Sequence, residues 1–380
     1  MKLPTISVIM ATYNHANFVA QAINSVLNQR GINLEFLIAD DGSVDRTREV
    51  VASIHDERIH FFPNRINRGA CVVTNELIQR ASGEFIALIN SDDYWIGPDK
   101  LAGQLQVMRD NPSIGACFGR ARFVDKDGRA IEKSTVPFGT VFDQENRSQG
   151  AWLRHFFDLG NCICHPTMLI RRSCYDEIGM YSNRLRQLPD FDMWIRLVKR
   201  HPIYISKLEL INFRILPGEN ASSQTETNFI RTINEHYLIA DTFFDDVDAS
   251  HLIDGFGDVL KYQDISSDAH LDIEKTMLFF VHNQIFRKPY QIIGLLKLSR
   301  LLNSPAHHEI LVKDYGIDDQ WFQKKTGGIN FLQPASPITD LKQALKEIKS
   351  SISRKVIRVI VRQVKRVRQL WRACKTGGGS

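Results

Sequence analysis

The sequence predicts an α/β fold: a mostly parallel sheet flanked by helices. Three observations carry it. Short apolar runs alternate with amphipathic helical segments over residues 6–93, the loops between them are short, and the loops after several apolar runs carry acids or hydroxyls. In such a sheet, ligands bind beyond the carboxyl ends of the strands. The loops at 12–15, 40–45 and 90–95 should therefore share one edge.

Taken in order, Ile6–Met10 reads as a strand and leads into the loop Thr12-Tyr13-Asn14-His15. A helix from about Phe18 to Asn28 places Val19, Ile23, Val26 and Leu27 on one face. Leu34–Ala39 is a second strand, ending at Asp40-Asp41-Gly42-Ser43, and a helix starting near Asp45 carries Val50, Val51 and Ile54. Arg58–Phe62 is a third strand and Ala70–Ala81 a helix. Phe85-Ile86-Ala87-Leu88-Ile89 has no charge and suits the middle of a sheet covered on both faces. Beyond it come a helix from Lys100 to about Arg109, a strand-like Ile114–Arg122 and a hairpin turn at Asp125-Lys126-Asp127-Gly128. Thr167–Arg171 reads as a strand and Phe191–Arg200 as a helix. From about Asn228 to Asn303 the pattern is mostly helical, and Gly327–Pro337 is a Gly- and Pro-rich linker.

A chain of 380 residues can hold one large domain with an appendage, or two domains. Its 43% apolar and 24% charged residues are ordinary for a globular protein. No apolar run reaches bilayer-spanning length, and Met1-Lys2 leads straight into a strand, so neither a signal peptide nor a transmembrane helix is expected. Six scattered cysteines fit a reducing cytoplasm. Cys162, Cys164 and His165 invite a metal reading, but without a distant second pair buried thiols are the better expectation. The net charge of +5 is uneven: Leu341–Lys375 holds twelve Lys/Arg against one Glu, a balance of +11, which leaves −6 on the remainder.

The acids carry the chemistry. Asp92-Asp93 places two mutually repelling carboxylates where a buried strand ends. A divalent cation, Mn²⁺ or Mg²⁺, relieves that conflict when it also binds a substrate diphosphate; the alternative is a solvated turn. In Asp40-Asp41-Gly42-Ser43, a carboxylate can accept from a base N–H or a ribose hydroxyl, while Ser43 or Asp45 caps the following helix. Tyr13 either stacks on a base or packs against the sheet edge. Asp190 and Asp192 follow Pro189 at a helix N-terminus, where the dipole favours acids; a functional carboxylate there would be a general base.

Together, Ser7-Val8-Ile9-Met10-Ala11-Thr12-Tyr13-Asn14, Ala39-Asp40-Asp41-Gly42-Ser43, Asn67-Arg68-Gly69 with Asn75, and Ser82-Gly83-Glu84-Phe85 leading into Ser91-Asp92-Asp93 resemble the family 2 glycosyltransferases of GT-A fold. The resemblance covers about residues 4–215 and closes on Pro189-Asp190-Phe191-Asp192-Met193-Trp194, similar to the family's acceptor-side Glu-Asp block. It implies a Rossmann-like GT-A catalytic domain over 1–220 and inverting transfer from a nucleotide sugar, a UDP-sugar above all, to a glycan or lipid-linked acceptor in bacterial polysaccharide assembly. By resemblance, Asp41 with Asp40 contacts uracil and ribose. Thr12, Tyr13, Asn14, Arg68, Asp92 and His165 border the nucleotide sugar. Asp93, with Asp92 as the other candidate, holds the metal, and Asp190, or else Asp192, is the base. Two positions depart from the pattern: Asn90 stands where many members have the first acid of the DxD motif, and Pro189 replaces an acid.

Rival readings are a sugar-phosphate nucleotidyltransferase, which would show a Gly-rich loop and Lys that Ala11–Asn17 lacks, and a non-catalytic scaffold subunit of a glycan-assembly complex. Residues 221–326 form a helical accessory region and 327–338 the linker. Residues 339–376 form a basic amphipathic helix: Ile352, Val356, Val359, Ile360, Val364, Val367, Leu370 and Trp371 share one face, and Arg and Lys take the other. The expected partner is an anionic membrane surface at the inner face of the cytoplasmic membrane. The alternative is docking on the body or in a homo-oligomer; nucleic acid is not expected. Gly377-Gly378-Gly379-Ser380 resembles an artificial linker.

Overall fold

The computed structural model describes residues 5–218, 225–265, 267–281 and 287–330. The chain divides into two compact units, Met1–Lys324 and Lys325–Ser380, and the whole sheet lies in the first.

Four strands form the parallel half: β1 (Ile6–Thr12), β2 (Leu34–Asp40), β3 (Ile59–Pro63) and β4 (Phe85–Leu88). Five more complete the sheet: β5 (Tyr94–Trp95), β6 (Ala116–Val124), β7 (Ala130–Ile131), β8 (Leu169–Arg171) and β9 (Ile203–Arg214). Their order is β3-β2-β1-β4-β8-β6-β9-β5, with β7 pairing on β6. β8 runs antiparallel to both β4 and β6, β9 runs parallel to β6, and β5 runs antiparallel to β9. β1 and β2 are in register from Ile6 opposite Leu34 to Thr12 opposite Asp40. Thr12 and Asp40 therefore reach the edge side by side.

The helices α1 (Val19–Leu27), α2 (Thr47–Ser53), α3 (Ala70–Arg80) and α4 (Lys100–Asp110) fall close to their expected spans. Strand alternation sends Val8, Met10, Phe36 and Ile38 to one face, where they pack with Val19, Ile23 and Val26 of α1. Ile9, Leu37, Ile86 and Leu88 go to the other and meet Val73 and Leu77 of α3. β4 is buried throughout, as its lack of charge requires. Each such apolar side chain contributes roughly 1.5–3 kcal/mol on burial.

Several elements escape pattern reading. α5 (Gln149–Leu159) is capped by Ser148, whose Oγ accepts from Ala151 N, and it buries Trp152, Leu153, Phe156 and Phe157. α6 (Arg172–Ile178) follows β8 directly. The expected strand at Thr167 begins instead at Leu169. His165–Thr167 forms a 3₁₀ turn, because Thr167 Oγ1 donates to Cys164 O (2.6 Å) and accepts from Gly119 N (3.1 Å). α7 (Pro189–Val198) begins at Pro189, whose missing N–H costs nothing in a first turn.

The later helices are α8 (Glu226–Asp241), α9 (Ala249–Phe256), α10 (Asp268–Val281), α11 (Arg287–Leu302), α12 (Pro305–Ile310) and α13 (Asp319–Gly328). α13 takes in the first two glycines of the expected linker. The expected helix at 339–376 lies outside the described residues. Among those residues, no helix is long and apolar enough to cross a membrane, and Cys71, Cys117, Cys162, Cys164 and Cys174 are free.

Candidate active site

The acidic turn after β4 is fixed from the far side of the sheet. β5 pairs Tyr94 with Asn212 and Trp95 with Ile211, bringing the end of β9 against Asp92-Asp93. Arg214 N donates to Asp93 Oδ1 (2.8 Å) and Arg214 Nε donates to Asp92 O (2.8 Å). The rest of the guanidinium donates to Asp125 O (3.1 Å), Lys126 O (2.7 Å) and Gln21 Oε1 (2.7 Å), 4.7 Å from the centre of the Phe18 ring. Arg214 is only 2% exposed.

This arginine has no sequence motif and was not anticipated. The carboxylate of Asp93 also accepts from Asn90 Nδ2 (3.1 Å). An acid at position 90 would repel Asp93, whereas the amide donates to it. Burial, then the like charge of Asp92, push Asp93 well above the usual carboxylate range, against the pull of the Arg214 and Asn90 bonds. Among the described residues, no three His, Cys, Asp or Glu side chains converge as a metal cage. Two hard oxygen donors in electrostatic conflict nevertheless suit a cation whose other ligands come from a diphosphate.

The first loop is tied both to this turn and to the loop after β2. His15 Nδ1 lies 2.7 Å from Ser91 Oγ, and His15 N donates to Thr47 Oγ1 (2.8 Å). Asn14, in the left-handed region at φ 55°, accepts from Val44 N at Oδ1, and its own N–H donates to Ser43 Oγ (both 2.9 Å). Asp45 accepts from Thr47 N (3.0 Å) in a turn just ahead of α2, whose N-cap position is Arg46 rather than the expected Ser43 or Asp45. Gly42 sits at φ +80°, and a Cβ there would lie 2.5 Å from backbone atoms of Ile66 and Asn67. Only glycine lets these loops touch. Asp41, held in this way, accepts from Arg68 N (2.8 Å) and Gly69 N (2.9 Å).

Asp40 is fully buried. Its Oδ2 accepts from Ser43 N (3.0 Å) and Arg48 Nε (2.6 Å). Asp40 Oδ1, Thr12 Oγ1 and Asn64 Nδ2 are buried without hydrogen bonds, at the ends of neighbouring strands. Tyr13 is 42% exposed, and the Arg68 side chain pairs with Glu76.

At the start of α7, Asp190 is half-buried. It accepts from Asn161 Nδ2 at Oδ2 and from Phe191 N at Oδ1 (both 2.8 Å). Burial, with Glu235 as a lesser like charge, pushes it up to about 6, against those bonds. Asp192, about 200° further round the helix, pairs with Arg196 Nη2 (2.7 Å), which in turn holds the carbonyl of Met180 (3.0 Å). That carboxylate is committed to holding the chain together. His165 Nε2 lies 2.8 Å from the Tyr181 hydroxyl, and burial lowers His165 to about 4, keeping it neutral. Burial pushes up the Cys164 thiol, and Asp93 and Asp190 both push it further, so both carboxylates lie within electrostatic reach of one sulfur.

The model of the family described as glycosyl transferase family 2 matches residues 7–179. Escherichia coli WfgD, named UDP-Glc:alpha-D-GlcNAc-diphosphoundecaprenol beta-1,3-glucosyltransferase, is 37% identical over 198 residues, covering 52% of this chain and 71% of its own length. The chain belongs to glycosyltransferase family 2. This glycosyltransferase is also 31% identical over 200 residues to Bacillus subtilis TuaG, named for teichuronic acid biosynthesis, covering 52% of this chain and 73% of TuaG. Its GT-A-like fold is shared with S. aureus TarS 1–349, solved with UDP-GlcNAc, at TM-score 0.52 and 16% identity over 79% of this chain and 82% of that one. The family match takes in Thr12 to His165 but ends before Asp190.

Replacing Arg214 with Met should lower the free energy of unfolding by about 3 kcal/mol or more, because the buried oxygens of Asp92, Asp125, Lys126 and Gln21 lose the donors that the guanidinium supplies. Urea denaturation measures this. An unchanged midpoint would show that the arginine is dispensable.

Proposed function

We propose that this glycosyltransferase moves a sugar from a UDP-sugar to a hydroxyl of a lipid-linked glycan, with inversion, in bacterial surface-polysaccharide assembly. The observation that carries this reading is Asp190: a half-buried carboxylate raised to about 6, at a helix start, within reach of the same buried thiol as the acidic turn. A base with a pKa near working pH is ionised yet still proton-seeking. The nucleotide and the lipid-linked acceptor are suggested by the activity for which WfgD is named.

In this reading, the loop that carries Tyr13 and Asn14 and the carboxylate of Asp41 border the uridine, with Arg68 beside them. Thr12 and Asp40 offer their unpartnered oxygens at the same edge. Asp92 and Asp93 flank the diphosphate. Held by these two, Mn²⁺ or Mg²⁺ would supply positive charge against the leaving diphosphate. Asp190 takes the proton of the acceptor hydroxyl as its oxygen bonds to the anomeric carbon, and the bond from that carbon to the UDP oxygen breaks on the opposite face. The pairing of Asp192 with Arg196 supports Asp190 over Asp192 for this step. His165, neutral and bonded to Tyr181, shapes the wall of the site.

Asp190→Asn should leave UDP binding intact and lower transfer by about 10²–10⁴-fold. Near-normal turnover would refute the base assignment. The active form is the deprotonated one, so in the parent enzyme turnover should be level above pH 7 and fall towards tenfold per unit below about pH 6; a flat profile from pH 5 to 8 would count against it.

Residues 339–376, outside the described residues, are proposed to bind anionic lipid and so bring the enzyme to lipid-linked acceptors at the cytoplasmic leaflet. In vesicles containing phosphatidylglycerol, the full chain should float and a chain ending at residue 338 should not. Equal flotation would remove the membrane role.

A further inference from the structure

The helical region beyond the sheet reaches directly into the acceptor side of the site. Glu235 lies on α8 and is 4% exposed. Its Oε1 accepts from Arg186 N (2.9 Å), and its Oε2 accepts from Gln187 N and Leu188 N (both 2.8 Å). These three residues are the last before Pro189-Asp190. A carboxylate that takes three consecutive backbone N–H groups fixes the path of that segment, and charge-assisted bonds of this kind are among the stronger ones.

Two neighbours reinforce the lock. The ring of His236 packs edge-on against Phe191 at 5.3 Å, and Phe191 supplies one of the two hydrogen bonds on Asp190. From α3, Cys71 Sγ donates to Leu185 O (3.4 Å) at the start of the same segment.

We propose that Glu235 is a positioning residue for Asp190: it holds the segment Arg186–Leu188 so that α7 starts with the Asp190 carboxylate turned to the acceptor. The proposal rests on the reading of Asp190 as the base. It gives the region 221–326, to which no sequence motif assigned a role, a part in the catalytic step. Chemically, Glu235 is well suited. A glutamine in its place has only one accepting oxygen, and even with that oxygen on Gln187 and Leu188 its NH₂ would face the N–H donor of Arg186.

The test reads Asp190 itself, so it needs no knowledge of the acceptor. The full chain is labelled with ¹³C at the aspartate side-chain carboxyl, and the Asp190 resonance is assigned by its loss in Asp190→Asn. The charged and titratable groups facing Asp190 are Glu235 from α8, the Cys71 thiol from α3, the Cys164 thiol, and the Tyr181 hydroxyl. All the others are neutral where Asp190 titrates.

In Glu235→Gln, the Asp190 titration should move down by about half a unit or more. Amide exchange over 186–191 should speed up at least about tenfold. Glu235→Asp keeps the charge but pulls it back by one methylene, so it should speed exchange while leaving the titration nearer the parent value, and it serves if the glutamine variant does not fold. An unmoved titration together with unmoved exchange would overturn the proposal. Faster exchange with an unmoved titration would do so too, since Glu235 would then support the loop without acting on Asp190. Full turnover by Asp190→Asn would instead sink the base reading and leave the Glu235 contacts standing.

Discussion

A single buried guanidinium holds the acidic edge of this sheet together. Arg214 ends the last strand of the sheet, and from there it bonds the carbonyl of Asp92, the loop at Asp125 and Lys126, and Gln21 of α1, while its backbone N–H fixes Asp93. Two adjacent carboxylates at the mouth of a buried strand would otherwise repel each other and distort the turn. Burying a charge costs several kcal/mol unless it is compensated, and the Arg214 guanidinium is compensated by bonds to three backbone carbonyls and the Gln21 amide oxygen. The sheet order follows suit, since β5 must return to β9 for Arg214 to reach the turn at all.

The parallel half of the fold was legible because each of its strands announces itself. Ile6–Met10, Leu34–Ala39 and Phe85–Ile89 are short apolar runs, the last two leading into paired acids, and the loop glycines fall where the chain must turn. In the other half β6, the turn before β7 and most of β8 were legible too, but β9 and β5 were not. β9 carries a register shift against β6 between Phe118 and Ala121. Across that shift, Ile203 and Ile205 pack into one core cluster while Ile211, of the same parity, packs into the other. β5, at two residues, has no sequence signature and exists only through its pairing with β9. α5, by contrast, could have been found: Ser148 followed by Trp152, Leu153, Phe156 and Phe157 is a cap and a helical stripe.

The site shows the same division. The acidic positions stood out as sequence, because pairs of acids beside buried strands are costly without a use. Their partners did not, because Arg214, Asn161 and Glu235 are distant along the chain and become meaningful only in space. The choice between Asp190 and Asp192 was also open in the sequence. The ion pair of Asp192 with Arg196 and the raised Asp190 now separate them on physical grounds. The environment sets the two carboxylates apart: Asp192 is tied into an ion pair, and Asp190 is raised by burial.

Asp92 and Asp93 remain in electrostatic conflict, and the relief proposed for it, a cation bound together with a diphosphate, is open to direct measurement. Calorimetric titration of UDP into the full chain, in Mn²⁺ and then in EDTA, should show binding at least about tenfold tighter with the metal. The same pair of titrations on Asp93→Asn should show little difference between the two conditions. Equal affinity with and without Mn²⁺ in the parent chain would contradict the account.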